Sequence, residues 1–305
     1  MKISIVDAFT DRPFTGNPAA VCVLPEGTWP PKHWLQAVAA EMNLSETAFL
    51  KPSPARPESE WELRWFTPAT ESLLCGHATL AATHVLASDG YAVGLIVFNT
   101  RSGLLSAEAQ PDGLIRLDFP LNTPTPTDSH ATLTSALGIN PTGVYKVDKL
   151  SHLLAELPDE ASVRGLTPDP AMIMALPERA LIATARADQP NCGYDFVSRF
   201  FAPRIGIPED PVTGSAHTAL APFWSRRLGA GALKGLQVSA RGGLVETEVV
   251  GNRVLLAGRA VRVFNGDLTH GSAAAIRLGP DARQGGEGDR DVVWGRESSP
   301  RFGVR

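Results

Sequence analysis

The chain has 305 residues, 43% hydrophobic and 20% charged, and 28 Lys+Arg against 32 Asp+Glu leave a net charge of −4. The apolar content excludes a disordered chain, and the acidic balance excludes a general binder of phosphate backbones. At ~150 residues per domain the length suggests two domains. No apolar run reaches the ~18 residues that would span a bilayer. The opening Met1-Lys2-Ile3-Ser4-Ile5-Val6 reads as a strand, so a soluble, cytoplasmic protein is expected. Cys22, Cys75 and Cys192 are odd in number and widely spaced, which fits neither a disulfide framework nor a zinc cluster.

In chain order, Lys2–Phe9 and Ala19–Leu24 read as strands around a Thr/Asp/Pro/Gly-rich turn. Leu35, Val38, Ala39 and Met42 form one helical stripe from Trp34 to Met42. Strands follow at Glu46–Leu50 and Trp61–Phe66, then an Ala-rich buried helix from His77 to Leu86, then strands near Leu95–Asn99, Gly103–Ala109 and Leu114–Phe119. Residues 120–127, Pro-Leu-Asn-Thr-Pro-Thr-Pro-Thr, read as a linker. Beyond it a helix near Ala131–Gly138 precedes strands near Gly143–Val147, Ala180–Thr184 and Tyr194–Phe201. A second Ala-rich helix starts at Gly214, and strands occupy Gly235–Ser239, Gly243–Val250, Arg253–Gly258 and Ala260–Asn265. The expected divisions are 1–120, 128–270 and a flexible tail over 281–305, which holds five acids, five arginines and five glycines.

The second half repeats the first. Arg64-Trp65-Phe66-Thr67-Pro68 has a counterpart in Arg199-Phe200-Phe201-Ala202-Pro203, 135 residues on. Glu71-x-x-x-Cys75-Gly76-His77-Ala78 matches Glu209-x-x-x-Thr213-Gly214-Ser215-Ala216, 138 residues on. A duplicated unit implies two similar α/β domains about a pseudo-twofold axis, with a cleft where equivalent loops face each other.

At Gly76 and Gly214 the chain passes from loop into helix, where the first N–H groups have no intrahelical acceptor. Two such helix starts in one cleft would bind an anion by their free donors and dipoles, and glycine lets the backbone approach it. His77, Thr79, Asp210, Thr213, Ser215 and His217 would supply side-chain contacts to a small carboxylate. The alternative is that these residues merely cap two buried helices. Glu46 shares a strand face with Ala48 and Leu50, so its carboxyl points where apolar groups point. Spacing alone leaves two readings open: a buried acid with a raised pKa, or an edge-strand carboxylate paired with an arginine. Cys75 at a helix start could be a nucleophile or proton carrier, or simply buried packing. No nucleotide fingerprint is present and no His/Asp/Glu cluster has metal-ligand spacing, so no cofactor or metal is expected.

Several stretches jointly resemble the phenazine-biosynthesis PhzF-like family, relatives of diaminopimelate epimerase. They are Val6-Asp7-Ala8-Phe9 through Gly16-Asn17-Pro18-Ala19-Ala20-Val21, Met42 to Phe49, Arg64-Trp65-Phe66-Thr67-Pro68, Cys75-Gly76-His77-Ala78-Thr79, and Glu209 to His217. The resemblance implies a mixed α/β fold of two pseudo-symmetric domains, each a curled mixed sheet around a central helix. It also implies cofactor-independent isomerisation by proton transfer, in a homodimer. On it Glu46 falls at the catalytic acid/base, His77, Asp210 and Ser215 at the remaining polar site residues, and Gly76 and Gly214 at the backbone donors. The chain end is expected to return to the first domain near 271–280. Diaminopimelate epimerase uses one cysteine from each half, whereas here Cys75 faces Thr213 as its counterpart. That favours one carboxylic acid moving a proton on a small carboxylate. An epimerase or racemase using Glu46 with Cys75, and a non-catalytic carboxylate binder, are the rivals.

Overall fold

The computed structural model describes residues 1–56, 60–129 and 131–269. The first half runs β1 (Lys2–Ala8), β2 (Asn17–Val23), α1 (Lys32–Met42), β3 (Glu46–Pro52), β4 (Glu60–Phe66), β5 (Glu71–Ser72), α2 (Gly76–Ser88), β6 (Gly94–Thr100), β7 (Gly103–Ala109) and β8 (Ile115–Pro120). The second runs β9 (Thr125–Pro126), α3 (Ala131–Leu137), β10 (Gly143–Val147), β11 (His152–Glu156), α4 (Glu160–Arg164), α5 (Pro170–Met174), β12 (Ala180–Arg186), β13 (Phe196–Ala202), β14 (Ile207–Asp210), α6 (Gly214–Leu228), β15 (Ala232–Gln237), β16 (Gly243–Val250), β17 (Arg253–Gly258) and β18 (Ala260–Asp267).

Strand direction explains where the helices lie. β2 and β3 are parallel, as are β4 and β6, and parallel neighbours need a crossover. Helix α1 makes the first crossover outside the sheet, burying Trp34 and Leu35 against Phe49 and Phe66. Helix α2 makes the second inside it, against β1, β2, β3, β7 and β8. A helix enclosed by a curled sheet must be small and apolar on every side, hence the buried run Ala78, Leu80, Ala81, Ala82, Val85 and Leu86. The second half repeats both devices. β11 pairs parallel with β12 across α4 and α5, and β13 with β15 across α6.

The halves join through antiparallel β8 and β17, where Leu117 pairs with Leu256 and Asp118 with Leu255. Under the 138-residue repeat Leu117 corresponds to Leu255 and Asp118 to Leu256, so this ladder sits on the pseudo-twofold axis. The apolar core runs across the junction, with Val212, Ala221, Val245, Val254 and Leu256 packed among first-half residues.

Two sequence expectations change. The 120–127 segment is a bound connection: Leu121 N–H donates to Asn252 O and β9 pairs with β10. Pro222 inside α6 cannot donate to Thr218 O, and the Asn122 N–H takes that carbonyl instead at 3.3 Å. The return to the first half comes earlier than 271–280, because β18 already pairs with β1 from Lys2↔Asp267 to Ala8↔Ala260. The 271–280 and 281–305 segments lie outside the described residues. The sequence reading also missed β11, α4 and α5, whose short apolar stretches carry little period of their own.

Candidate active site

The repeated Arg and Glu brace each copy of the strand that leads into a helix start. Arg64 holds Glu71 through two bonds of 2.7 and 3.0 Å, and Arg199 holds Glu209 at 2.7 and 2.9 Å. Each guanidinium also lies over a ring, Phe66 at 5.2 Å and Phe201 at 4.9 Å. The acid five residues before each glycine is therefore a brace for the loop.

These loops bring the two helix starts together. A Cβ built on Gly76 would lie 3.5 Å from Gly214 Cα, and one built on Gly214 would lie 3.4 Å from Gly76 Cα. Both distances are those of ordinary van der Waals contact, so the two helix starts meet backbone to backbone, with nothing beyond glycine between them. The carbonyl ahead of each helix is claimed from within. Thr79 donates by N–H and Oγ1 to Cys75 O, while the His217 N–H and Nδ1 approach Thr213 O at 3.3 and 2.8 Å. Thr79 Oγ1 and His217 Nδ1 thus serve their own helices, while His217 Nε2 is left without a hydrogen-bond partner among the described residues.

Glu46, the first residue of β3, projects with Ala48 and Leu50 toward the enclosed helix. Its Oε2 lies 3.4 Å from His77 Nε2, and the Cys75 thiol donates to its carboxylate. Burial, then repulsion from Asp210, push the Glu46 carboxyl up to about 8, against the opposing pull of the Cys75 hydrogen bond. His77 is driven down to about 3 by burial and is neutral at pH 7. Cys75 is pushed well above the usual thiol range, by burial first and the Glu46 charge second, so it is a neutral S–H. His77 is the one basic group within 4.0 Å of Glu46 among the described residues, so the arginine-paired alternative is excluded.

The second half faces this cluster with Asp210, Thr213 and Ser215. Thr213 Oγ1 donates to Asp210 Oδ2 at 2.5 Å, and Asn17 Nδ2 donates to Asp210 Oδ1 at 2.8 Å. Burial lifts Asp210 to about 6, with these two donors and the Glu209 charge as lesser influences. Buried Gln237 fixes the loop by accepting from Thr213 N–H at 2.9 Å and donating to Asp210 O at 2.6 Å. Ser215, one residue into α6, is part-exposed beside the Gly76–Gly214 contact.

Of the residues singled out in the sequence, the fold brings Glu46, Cys75, Gly76, His77, Asp210, Thr213 and Gly214 together, and Ser215 follows Gly214 in the chain. Asn17 and Gln237 were missed as site residues. Asn17 left a signal, a polar residue after Gly16 at the start of an otherwise apolar strand; Gln237 left none. The expectation of no metal-type cluster also needs correcting. Cys75 and His77 come from one helix start and Glu46 from a distant strand, and the fold sets their ligand-type atoms within 4.8 Å of one another. That donor set suits a soft divalent cation in spacing, though the thiol would have to lose a proton that burial holds tightly.

A duplicated mixed sheet, two enclosed helices meeting at glycines, and titratable side chains at their junction define an epimerase-like α/β enzyme fold. A family model described as phenazine biosynthesis-like protein matches residues 6–266. An uncharacterized isomerase from Pseudomonas aeruginosa is 46% identical over 271 residues, covering 88% of this chain and 99% of that protein. One from Halalkalibacterium halodurans is 42% identical over 269 residues, covering 87% and 97%. A crystal structure of a PhzF family protein from Enterococcus faecalis superposes with a TM-score of 0.79 at 41% identity, covering 87% of this chain and 97% of that one. The chain belongs to the phenazine biosynthesis-like, or PhzF-like, family of isomerases.

Proposed function

We propose that the protein is a cofactor-independent isomerase that moves a proton between two carbons of a small carboxylate substrate, with Glu46 as the single acid/base. The observation that carries this reading is a secluded carboxyl, pushed up to about 8, beside two helix starts that meet glycine to glycine. Glu46 as carboxylate takes a proton from an acidic or allylic C–H. The electron pair left behind delocalises into the adjoining unsaturation, and Glu46 returns the proton at the far carbon. The amides at Gly76 and Gly214 hold the substrate carboxylate and stabilise charge that builds on it during transfer. His77, Asp210 and Ser215 orient its other polar substituents, and Cys75 and Thr213 line the same pocket. No arginine or lysine is needed, because the paired amides and dipoles supply the positive potential. The family reading adds a homodimer as the expected assembly.

Cys75 touches the same cluster, so an epimerase using Glu46 with Cys75 is the second reading. A neutral buried thiol opposes it. The test is a mass-spectrometric screen for solvent deuterium entering a library of cyclic and amino carboxylates. Incorporation that is lost in Glu46→Gln and kept in Cys75→Ala supports the single-acid mechanism. Loss in Cys75→Ala with retention in Glu46→Gln transfers the chemistry to the thiol. Tight binding without any exchange makes the cleft a binding site only.

A further inference from the structure

Asn17 is completely buried, and its side-chain nitrogen meets acceptors from both halves at once. It lies 2.8 Å from Asp210 Oδ1, 2.8 Å from Val212 O and 3.2 Å from His77 Nδ1. Its oxygen accepts from Ser45 Oγ at 3.4 Å. The amide orientation is chemically forced, because reversing it would set the oxygen against a carboxylate and a carbonyl that can only accept. The nitrogen of an amide has no lone pair to offer, so a proton on His77 Nδ1 would point at a donor. The other neighbour of Nδ1 is the Cys75 thiol, 3.5 Å away, whose sulfur is only a weak acceptor and cannot compensate an Nδ1 proton set against the Asn17 amide. Nδ1 is therefore assigned as the bare nitrogen and the ring proton to Nε2, which lies 3.4 Å from Glu46 Oε2 without an aligned hydrogen-bond partner among the described residues.

We infer that Asn17 is a positioning residue that fixes His77 as the Nε2–H tautomer, which leaves an unpartnered ring N–H beside Glu46, while tying that ring to the Asp210 loop of the opposite half. The backbone supports this placement. Gly16, at φ +68°, precedes Asn17 where a Cβ would fall 2.3 Å from Ala8 O, and its N–H donates to Gly242 O at 2.7 Å. Arg241 closes the same junction, donating to Asp7 Oδ1 at 2.7 Å and to Gly16 O at 2.8 Å. Asn17 thus enters the site on a loop that second-half residues hold in register, and it passes that register to the imidazole. The role rests on the proposed use of Glu46 for its catalytic meaning, but the tautomer is a property of the free protein.

The test is nitrogen-15 NMR of histidine-labelled full-length protein at pH 7, with His77 identified by the signal missing from His77→Gln. The expected wild-type spectrum shows a protonated Nε2 and a bare Nδ1, unchanged in Cys75→Ala. Asn17→Asp keeps the shape but replaces donor by acceptor, and should move the proton to Nδ1. Asn17→Ala, used if the added carboxylate prevents folding, should leave a mixture of tautomers. An Nδ1–H tautomer in the wild type, or an unaltered Nε2–H tautomer in a folded Asn17 variant, would overturn the assignment. None of these readouts needs a substrate, so failure of the screen for exchange and failure of the tautomer are separate results.

Discussion

The two halves share their scaffold and differ in their chemistry. Both have the Arg–Glu brace, the crossover helix inside the sheet, and the glycine at its start. Pairing registers place Glu46 opposite Phe66's neighbourhood as Ala180 stands beside that of Phe201, so the second half carries an alanine where the first carries the acid. Likewise Cys75 and His77 become Thr213 and Ser215, and Ser72 becomes Asp210. What duplication retained is what sets two helix starts face to face. What diverged is the set of titratable side chains, which the first half concentrates in Glu46, Cys75 and His77. A two-base exchange between halves needs matching groups on both sides of a ligand. This site has one strong candidate base and a set of donors opposite.

The largest way to break the asymmetry is Glu46→Gln, which should lower solvent-exchange turnover by about 10³-fold, the scale of a lost general acid/base. Reverting to a two-cysteine site with Thr213→Cys should confer no racemisation, since the loop would keep Asp210 and the new thiol would be buried as Cys75 is. Mass-spectrometric exchange and chiral chromatography check both.

Stability sharpens the comparison next. Arg199→Ala deprives Glu209 of its bidentate partner and frees Leu166 O, which Arg199 holds at 2.6 Å. A loss of about 2–3 kcal/mol in urea unfolding is expected. Arg64→Ala should cost less, about 1–2 kcal/mol, because Arg101 at 3.0 Å and Lys32 at 3.6 Å still face Glu71. Equal losses would mean the braces do not depend on local charge.

The pH dependence of stability follows from Glu46. Its folded pKa of about 8 lies above the ordinary 4.5, so the folded state binds more protons between those values. Its contribution is therefore fullest below pH 4.5 and declines as pH rises through 8. Glu46→Gln removes that decline and should raise Tm at pH 9 by on the order of 5 °C, with little change at pH 5. Differential scanning calorimetry at the two pH values reads the difference.

The smallest expected effect is at Cys75. Cys75→Ala should retain exchange within about tenfold and shift its pH profile upward, since a hydrogen bond that favours the Glu46 carboxylate is gone.

Much of this was legible in the sequence because duplication writes its spacing twice. Gly76 and Gly214 followed from the repeat, and the enclosed helices from alanine-rich runs without a polar face. Glu46 was ambiguous for a physical reason: alternation says which way a side chain points, but not whether that face meets helix or solvent. Asn17 left only the faint mark of a polar residue opening an apolar strand and Gln237 left none, because their partners lie 193 and 27 residues away, at Asp210, and a single buried amide has no period. The repeat marked Glu71 and Glu209 without assigning them a role, and the structure makes them braces, since spacing cannot tell a residue that lines a pocket from one that holds its wall.

The central claim is that Glu46 is a secluded acid whose proton is held by burial and by the charge of Asp210. Carbon-13 NMR of the Glu46 side-chain carboxyl, titrated in wild type and in Asp210→Asn, measures this directly. An apparent pKa near 8 that falls when Asp210 loses its charge is the predicted result. A midpoint at the ordinary 4.5, unmoved by that substitution, would contradict it.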